Sequence, residues 1–122
     1  MVGSTELKAN SASTVVLVNN NGMGSAEEPL RKKLLGLYLT MLQENGFYPG
    51  AICFYADGVK MVIEGSPVLD LLRAFEEKGV RLIICSTCLQ YYGLGDKVRV
   101  GLVGGMNDIV LAQWMAGKVV SL

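Results

Sequence analysis

The sequence contains no histidine among its 122 residues. This absence excludes catalytic arrangements that use a histidine base, such as Cys-His pairs and Ser-His-Asp triads. It also removes the most common nitrogen ligand of zinc sites. We predict no metal site, because one close pair of cysteines and a distant third cannot supply four protein ligands. A zinc ion shared between two copies of the chain stays open as an alternative.

The chain also lacks an excess of charge and a long apolar run. Eleven basic and eleven acidic residues cancel, so no net field attracts nucleic acid or an anionic membrane. No apolar segment approaches the ~18 residues that a membrane-spanning helix needs, and residues 1–13 lack the apolar stretch of a signal peptide. We therefore predict a cytoplasmic protein that binds neither nucleic acid nor membranes.

Only three cysteines are present, and an odd number does not indicate a disulfide framework in a chain that can form a core. The apolar share of 51% fits a sheet that is covered by helices on both faces. The length is typical of one domain. We predict a flexible N-terminal tail over residues 1–13 and an α/β domain over residues 14–122.

Apolar runs and turn-forming residues predict alternating strands and helices. The predicted strands cover residues 14–18, 51–55, 80–85, 98–103 and 118–122, and the predicted helices cover residues 25–45, 66–78 and 109–115, with an extended piece over 59–63 and a short helix after residue 85. Ser25 and Ser66 are the predicted N-caps. This alternation predicts a three-layer α/β/α fold around a mostly parallel five-stranded sheet with right-handed crossovers.

Ligands of such sheets gather beyond the carboxyl ends of the strands, where we predict the loops 19–24, 56–60 and 85–88. In the first loop, Asn19 and Gly24 are candidates for binding an anion through a turn rich in amides, and an ordinary strand-to-helix turn is the simpler alternative. Lys60 in the second loop is a candidate for holding a thiolate ionised or contacting a bound anion; a solvated surface charge is its alternative. Because none of the loops carries a P-loop or dinucleotide motif, we predict no cofactor.

The sharpest local signal is the run Cys85-Ser86-Thr87-Cys88. A helix that begins after Cys85 would bring its free amides and its dipole close to a thiolate, the form in which cysteine attacks sulfur. We interpret Cys88 as the exposed nucleophile and Cys85 as partly buried, while burial of both as small core residues is the alternative. Tyr91 either lines the site or packs between subunits. Thioredoxin-like exchange is less favoured, because the pair comes late and all three prolines precede it.

Taken with Phe54-Tyr55 and Gly58-Val59-Lys60 upstream, the segment Cys85-Ser86-Thr87-Cys88-Leu89-Gln90-Tyr91-Tyr92-Gly93-Leu94 resembles the DsrE/DsrF-like family. It is most similar to the DsrE-like domain of YedF-type proteins, which are called sulfurtransferase-like selenium metabolism proteins. The resemblance covers nearly all of residues 15–122. It implies a five-stranded DsrE-like α/β/α domain that commonly forms homo-oligomers, for which Met106, Trp114 and Met115 offer apolar contact surface.

The resemblance further implies sulfur relay or sulfurtransferase activity with a persulfide on Cys88, which matches the family cysteine. Cys85 matches a cysteine of the YedF-like subgroup, and two roles are open for it: resolving the persulfide through a disulfide, or supporting the loop. Backbone amides around Thr87 and the Lys60 ammonium are expected to stabilise the negative sulfur. A TusA-like sulfur carrier is an expected partner, as a separate protein, since only a short tail precedes Val15. The alternative function is a DsrE-fold binding or assembly domain without sulfur transfer.

Overall fold

The computed structural model describes residues 4–122, in which five strands alternate with helices. The strands are β1 (Thr14–Val18), β2 (Ala51–Phe54), β3 (Arg81–Cys85), β4 (Leu102–Gly104) and β5 (Lys118–Ser121), and the α-helices are α1 (Ser4–Ser11), α2 (Glu28–Asn45), α3 (Leu69–Glu77), α4 (Ser86–Tyr92) and α5 (Met106–Met115). Two 3-10 helices cover Ala56–Met61 and Gly95–Lys97. Within these residues, no helix combines the length and the apolar character that crossing a bilayer requires.

The strands form one sheet in the order β4-β3-β2-β1-β5, and every pairing in it is parallel. This confirms the predicted five-stranded α/β fold. From β1 to β4, each strand is added to the same edge of the sheet. The chain then crosses back over the sheet, and β5 is added at the opposite edge, next to β1. Since right-handed crossovers in opposite directions leave their helices on opposite faces, the return places α5 alone across the sheet from α2 and α3.

Two apolar clusters on the two faces of the sheet reflect this topology. On one face, α2 and α3 contribute side chains such as Leu35 and Phe75, both completely buried. On the other face, α5 contributes only Ile109 and Ala112 to the buried cluster. The central strands are therefore apolar on both sides, as parallel strands covered by helices are, but the layer formed by α5 is much the thinner.

Several element boundaries differ from the sequence prediction. Helix α2 begins at Glu28 with Glu27 in the N-cap position, so Ser25 is not its cap. Helix α3 begins at Leu69, and the Ser66 hydroxyl instead accepts a hydrogen bond from the Val68 N–H (3.3 Å) in the turn before it. The second difference arises because a serine followed by proline also suits a turn that precedes a helix, closed by the serine hydroxyl.

Two other segments also depart from the expected structure. An extended piece was predicted over residues 59–63, but most of these residues lie in the 3-10 helix Ala56–Met61. Strand β4 is only three residues long and begins at Leu102 instead of residue 98. The apolar run of residues 98–103 is interrupted at Gly101, which adopts a φ of 82° that ends regular extended backbone.

Residues 4–11, predicted as part of a flexible tail, form the helix α1. Its residues Leu7 and Ser11 line a groove together with Tyr38 and Leu42 of α2. The sequence analysis missed this helix because its composition shows almost no apolar face. Residues 1–3 of the predicted tail lie outside the described residues, and the domain boundary at residue 14 stays a prediction.

The 3-10 helix Ala56–Met61 packs closely against the end of β1. The Val18 carbonyl oxygen accepts a hydrogen bond from the Tyr55 N–H (3.1 Å). A Cβ atom added to Gly58 would overlap that same oxygen. Only glycine therefore allows this segment to approach β1 so closely.

We predict that Gly58→Ala lowers the free energy of unfolding by about 3 kcal/mol, because the backbone must shift to remove the overlap. Urea unfolding followed by circular dichroism measures this loss. Gly95→Ala is the matched control, since a Cβ there meets no atom within 4 Å and the substitution should have little effect. Identical unfolding midpoints for the two variants would contradict the prediction.

Candidate functional site

Three strand ends meet at one edge of the sheet, because β1, β2 and β3 are neighbours and run parallel. The loops that follow Val18, Phe54 and Cys85 therefore lie side by side. A hydrogen bond from Asn19 Nδ2 to the Tyr55 hydroxyl oxygen (3.2 Å) joins the first two loops. The sequence analysis placed its candidate residues at this edge, and the fold brings Asn19, Lys60 and the two cysteines to it.

The two cysteines of the Cys85-Ser86-Thr87-Cys88 run have different environments. Cys85 ends β3, occupies the N-cap position of α4 and is 0% exposed. Cys85 is thus completely buried, whereas the sequence predicted partial burial. Cys88, the third residue of α4, is partly buried and keeps access to solvent. Cys88 is therefore the one cysteine of the pair that an external molecule can reach.

A backbone amide from a distant segment contacts the Cys88 sulfur. The Ala56 N–H donates a hydrogen bond to Cys88 Sγ over 3.1 Å. Ala56 has a φ of 51° and is the only non-glycine residue with positive φ among residues 4–122. Such a conformation costs roughly 1–2 kcal/mol and is concentrated at functional sites. Ala56 was not predicted as a site residue, because alanine rarely adopts a left-handed backbone and its presence in the sequence does not indicate one.

The pKa of the Cys88 thiol is raised, although we expected backbone amides and Lys60 to stabilise the thiolate. Burial raises the pKa of the Cys88 thiol above its ordinary value, the Ala56 N–H lowers it in part, and the neighbouring Cys85 thiol raises it further. Among the described residues, the amide that donates to Cys88 Sγ belongs to Ala56 and not to α4. The thiolate is consequently a minor species at neutral pH, although a more basic thiolate is also the stronger nucleophile.

Lys60 takes part in a cluster with Asp57 and Tyr92 that joins the 3-10 helix to α4. The Tyr92 hydroxyl donates to Asp57 Oδ1 over 2.6 Å, and Lys60 Nζ lies 3.0 Å from the same oxygen. Lys60 Nζ also lies 4.4 Å from the centre of the Tyr92 ring. The hydrogen bond from Tyr92, followed by that from Lys60, lowers the pKa of Asp57. The cluster thus holds the segment that carries Ala56 against the helix that carries Cys88, and Lys60 is already paired with a carboxylate.

Several backbone amides of the loop of residues 19–24 are already paired within the protein. The Gly22 N–H donates to the Asn20 carbonyl oxygen (2.8 Å), and the Met23 N–H donates to that of Arg31 (2.9 Å). Gly24 is exposed, and its carbonyl oxygen accepts a hydrogen bond from Asn20 Nδ2 (3.0 Å). These contacts order the turn, and a role of Asn19 and Gly24 in binding an anion stays a prediction.

The remaining candidates, Thr87 and Tyr91, project from α4 into solvent. The Tyr91 side chain is 84% exposed and contacts the Tyr92 ring edge to face, with 5.3 Å between ring centres. Tyr91 is thus available to a partner on the same side of the molecule as Cys88.

A groove of about 290 Å³ borders the cluster on the side of Lys60. Met61, Ile63 and Leu94 form apolar walls of this groove. Lys32 and Lys60 also line it. In residues 4–122, no three cysteine, aspartate or glutamate side chains converge in a way that could hold a metal ion. The reactive group that this edge of the sheet offers is therefore the Cys88 thiol.

The DsrE/DsrF-like family model matches residues 13–120. The chain belongs to the DsrE/DsrF-like family. This match includes β1 to β4, most of β5 and all the site residues described above. The sequence-based assignment to this family is confirmed, and the closer similarity to YedF-type proteins stays a prediction.

Solved structures share the fold of this DsrE/DsrF-like chain. The ychN protein from E. coli superposes with a TM-score of 0.64 and 18% sequence identity, over 89% of this chain and 97% of that one. A protein of unknown function from Methanobacterium thermoautotrophicum, MTH1491, gives a TM-score of 0.66 and 20% identity over the same shares. No curated protein sequence matches the chain. At these identities the likeness establishes the fold.

We predict that alkylation of Cys88 by iodoacetamide increases with pH to a midpoint above 9.0, the ordinary pKa of a cysteine thiol, because burial disfavours the thiolate. The measurement is the labelling rate of the native protein followed by intact mass. Cys88→Ser should remove the labelling, because Cys85 and Cys53 are sealed and burial raises the pKa of Cys53 to about 11. A midpoint at neutral pH would show that the thiolate is stabilised instead.

Proposed function

We propose that this protein is a sulfur-relay protein or sulfurtransferase that carries sulfur as a persulfide on Cys88. The observation that supports this most is the contact between the Ala56 N–H and Cys88 Sγ, made by a strained residue at an accessible thiol. Membership in the DsrE/DsrF-like family, which is generally related to sulfur relay, agrees with it.

The transfer step needs only thiol chemistry. The Cys88 thiolate attacks the terminal sulfur of a donor persulfide, a new S–S bond forms, and the donor thiolate leaves with the electron pair of the broken bond. A second thiolate, on an acceptor, then removes the terminal sulfur from Cys88 in the same manner. No histidine base is required, because the attacking group is a thiolate and the leaving group is a thiolate as well.

The contacts of the site suit a sulfur atom that changes its charge. A persulfide is more acidic than the thiol from which it forms, so loading creates negative charge next to the Ala56 N–H. This amide is fixed in place before sulfur arrives, since Gly58 and the Asp57–Tyr92 hydrogen bond hold its segment. A fixed donor stabilises an anion without reorganisation.

A TusA-like carrier protein is the partner that we propose for delivering or accepting sulfur. Tyr91 and Thr87 are exposed beside Cys88, and a partner that reaches this sulfur must cover them. The groove at Lys60 offers additional contact area. The cytoplasmic location and the lack of nucleic-acid and membrane partners remain predictions from composition.

A second candidate function is a DsrE-fold binding or assembly domain without sulfur transfer. The observation that favours it is the pKa of Cys88, which burial raises, so that the thiol reacts slowly at neutral pH. In that case the left-handed backbone of Ala56 would serve only to pack the 3-10 helix against α4. Sulfur loading separates the two functions directly.

We predict that the reduced protein, mixed with a small-molecule persulfide such as glutathione persulfide at an alkaline pH at which the Cys88 thiol ionises, gains one sulfur atom within the first moments of reaction. Cys88→Ser should gain none, because the remaining cysteines are sealed from the donor. Cys53→Ala is the matched control and should load like the wild type. Intact mass measured immediately after mixing reads the result, and equal loading of Cys88→Ser and wild type would refute the proposal.

We also propose that the protein forms a homo-oligomer through the α5 side of the sheet. A single helix covers this side, and apolar side chains remain exposed on it. Trp114 and Met115 of α5 are each 84% exposed, and Leu102 of β4, which pairs with Ile83 of the cluster under α5, is 78% exposed. Helix α5 carries one charged residue, Asp108, so the surface is apolar and nearly uncharged. A face with several large exposed apolar side chains and little charge is typical of an interface.

We predict that Trp114→Glu reduces the oligomer to a smaller species, because a carboxylate would lose its hydration in an apolar interface. Light scattering coupled to size-exclusion chromatography measures the mass in solution. Tyr91→Glu is the matched control, since Tyr91 is equally exposed but lies on α4. A wild-type protein that is already monomeric, or a mass that Trp114→Glu leaves unchanged, would show that the α5 side is not an interface.

A further inference from the structure

Cys85 is a nucleophilic side chain that the sulfur transfer described above does not use. It is 0% exposed and packs in the apolar cluster under α5, where Cys88 packs against the same cluster from the first turn of α4. We propose that Cys85 is a resolving cysteine: it attacks the persulfide on Cys88, releases the terminal sulfur as hydrogen sulfide and forms a Cys85–Cys88 disulfide. This inference rests on the proposed persulfide on Cys88.

The backbone places the two cysteines one helical turn apart, at the same apolar cluster. Cys85 occupies the N-cap position of α4, with φ −67° and ψ 116°, and Cys88 is the third helical residue. These positions are separated by one turn, so both side chains lie at the same end of the helix. The neighbouring Cys85 thiol also raises the pKa of the Cys88 thiol. A disulfide between these positions would lie within one turn of α4, at the end of β3.

Burial limits Cys85 to one reaction partner. No external donor or acceptor can reach a side chain that is 0% exposed, so the sulfur that Cys85 can attack is that of Cys88. Cys53 is equally sealed but lies in the middle of β2, opposite Ile83 in the register of β2 and β3. Cys53 is therefore two residues short of the level of Cys85 along the sheet. It serves as the matched control.

The step balances without an outside oxidant. A bond forms between the Cys85 sulfur and Cys88 Sγ, and the bond between Cys88 Sγ and the terminal sulfur breaks. The terminal sulfur leaves with the electron pair and takes the proton of the Cys85 thiol, so that it is released as hydrogen sulfide. The Cys85 sulfur is oxidised to a disulfide, and the sulfur carried by the protein is reduced to sulfide. A dithiol reductant returns the pair to thiols for another cycle.

This reaction competes with delivery of sulfur to an acceptor. The internal thiol is always present beside Cys88, whereas an external thiolate must first dock, and reactions between groups held together are strongly favoured. A docked partner that covers α4 would deliver its thiolate before Cys85 reacts. Without such a partner, the protein discharges its sulfur as sulfide and becomes oxidised.

The experiment loads reduced protein with glutathione persulfide, removes the reagent by rapid desalting under anaerobic conditions, and follows intact mass and free sulfide over time. The wild type should gain one sulfur atom, then release one sulfide per chain and end two hydrogen masses below the reduced protein. Peptide mapping without reductant should find Cys85 linked to Cys88. Cys53→Ala should behave in the same way.

Cys85→Ala should load sulfur like the wild type but retain it on Cys88, with sulfide release slower by at least about tenfold, because the internal nucleophile is gone. The apolar replacement keeps the buried position free of an unpaired polar group, and the wild-type peptide map tests the disulfide even where a variant folds poorly. Release from Cys85→Ala at the wild-type rate, or release from the wild type without the disulfide, would overturn the inference and leave the persulfide on Cys88 intact. Absence of loading in both proteins would instead remove the proposed function itself, and this inference with it.

Discussion

The parallel pairing of β2 between β1 and β3 is the constraint on which the fold and the site both depend. Leu17 pairs with Cys53, and Cys53 with Ile83, so the three strands end at nearly the same level. Burial on both faces holds this register, because a shift by one residue would exchange the side chains of the two apolar clusters. The same register brings Asn19, Ala56 and Cys85 to one edge of the sheet, beside Cys88.

The site is built from contacts that are each unfavourable or restrictive by themselves. Ala56 adopts a left-handed backbone, Gly58 leaves no room for a side chain, and the Cys88 thiol is partly removed from water. The hydrogen bond between Tyr92 and Asp57 offsets part of this cost by joining the 3-10 helix to α4. These contacts together aim one backbone amide at one sulfur atom. An alanine in this conformation beside an accessible thiol is difficult to explain by packing alone.

The reversal of the chain after β4 has a consequence for the surface. Because it sends α5 alone to one face of the sheet, that face receives a single helix, whereas α2, α3 and the 3-10 helix share the other. The apolar side chains of Leu102 and Trp114 are left exposed as a result. The proposed homo-oligomer would cover them, and the site at the carboxyl edge would stay open, since Tyr91 and Cys88 lie on α4 instead of α5.

The sequence by itself determined the number of strands, their mostly parallel arrangement and the loops in which function was to be sought. Runs such as Thr14–Val18 are buried on both sides, and the alternation of strands with helices leaves few topologies. The family followed from the cysteine run and the residues around it. Such features are readable because apolar periodicity and turn chemistry act over a few neighbouring residues.

Only the tertiary structure decided the reactivity of the cysteines. The complete burial of Cys85, the direction of the pKa of Cys88 and the donor role of Ala56 all depend on segments that are about thirty residues apart in the chain, such as Ala56 and Cys88 at a separation of 32. The contact of Lys60 with the Tyr92 ring has the same origin. Desolvation and hydrogen-bond direction are properties of the packed molecule, so no local pattern of residues could have revealed them.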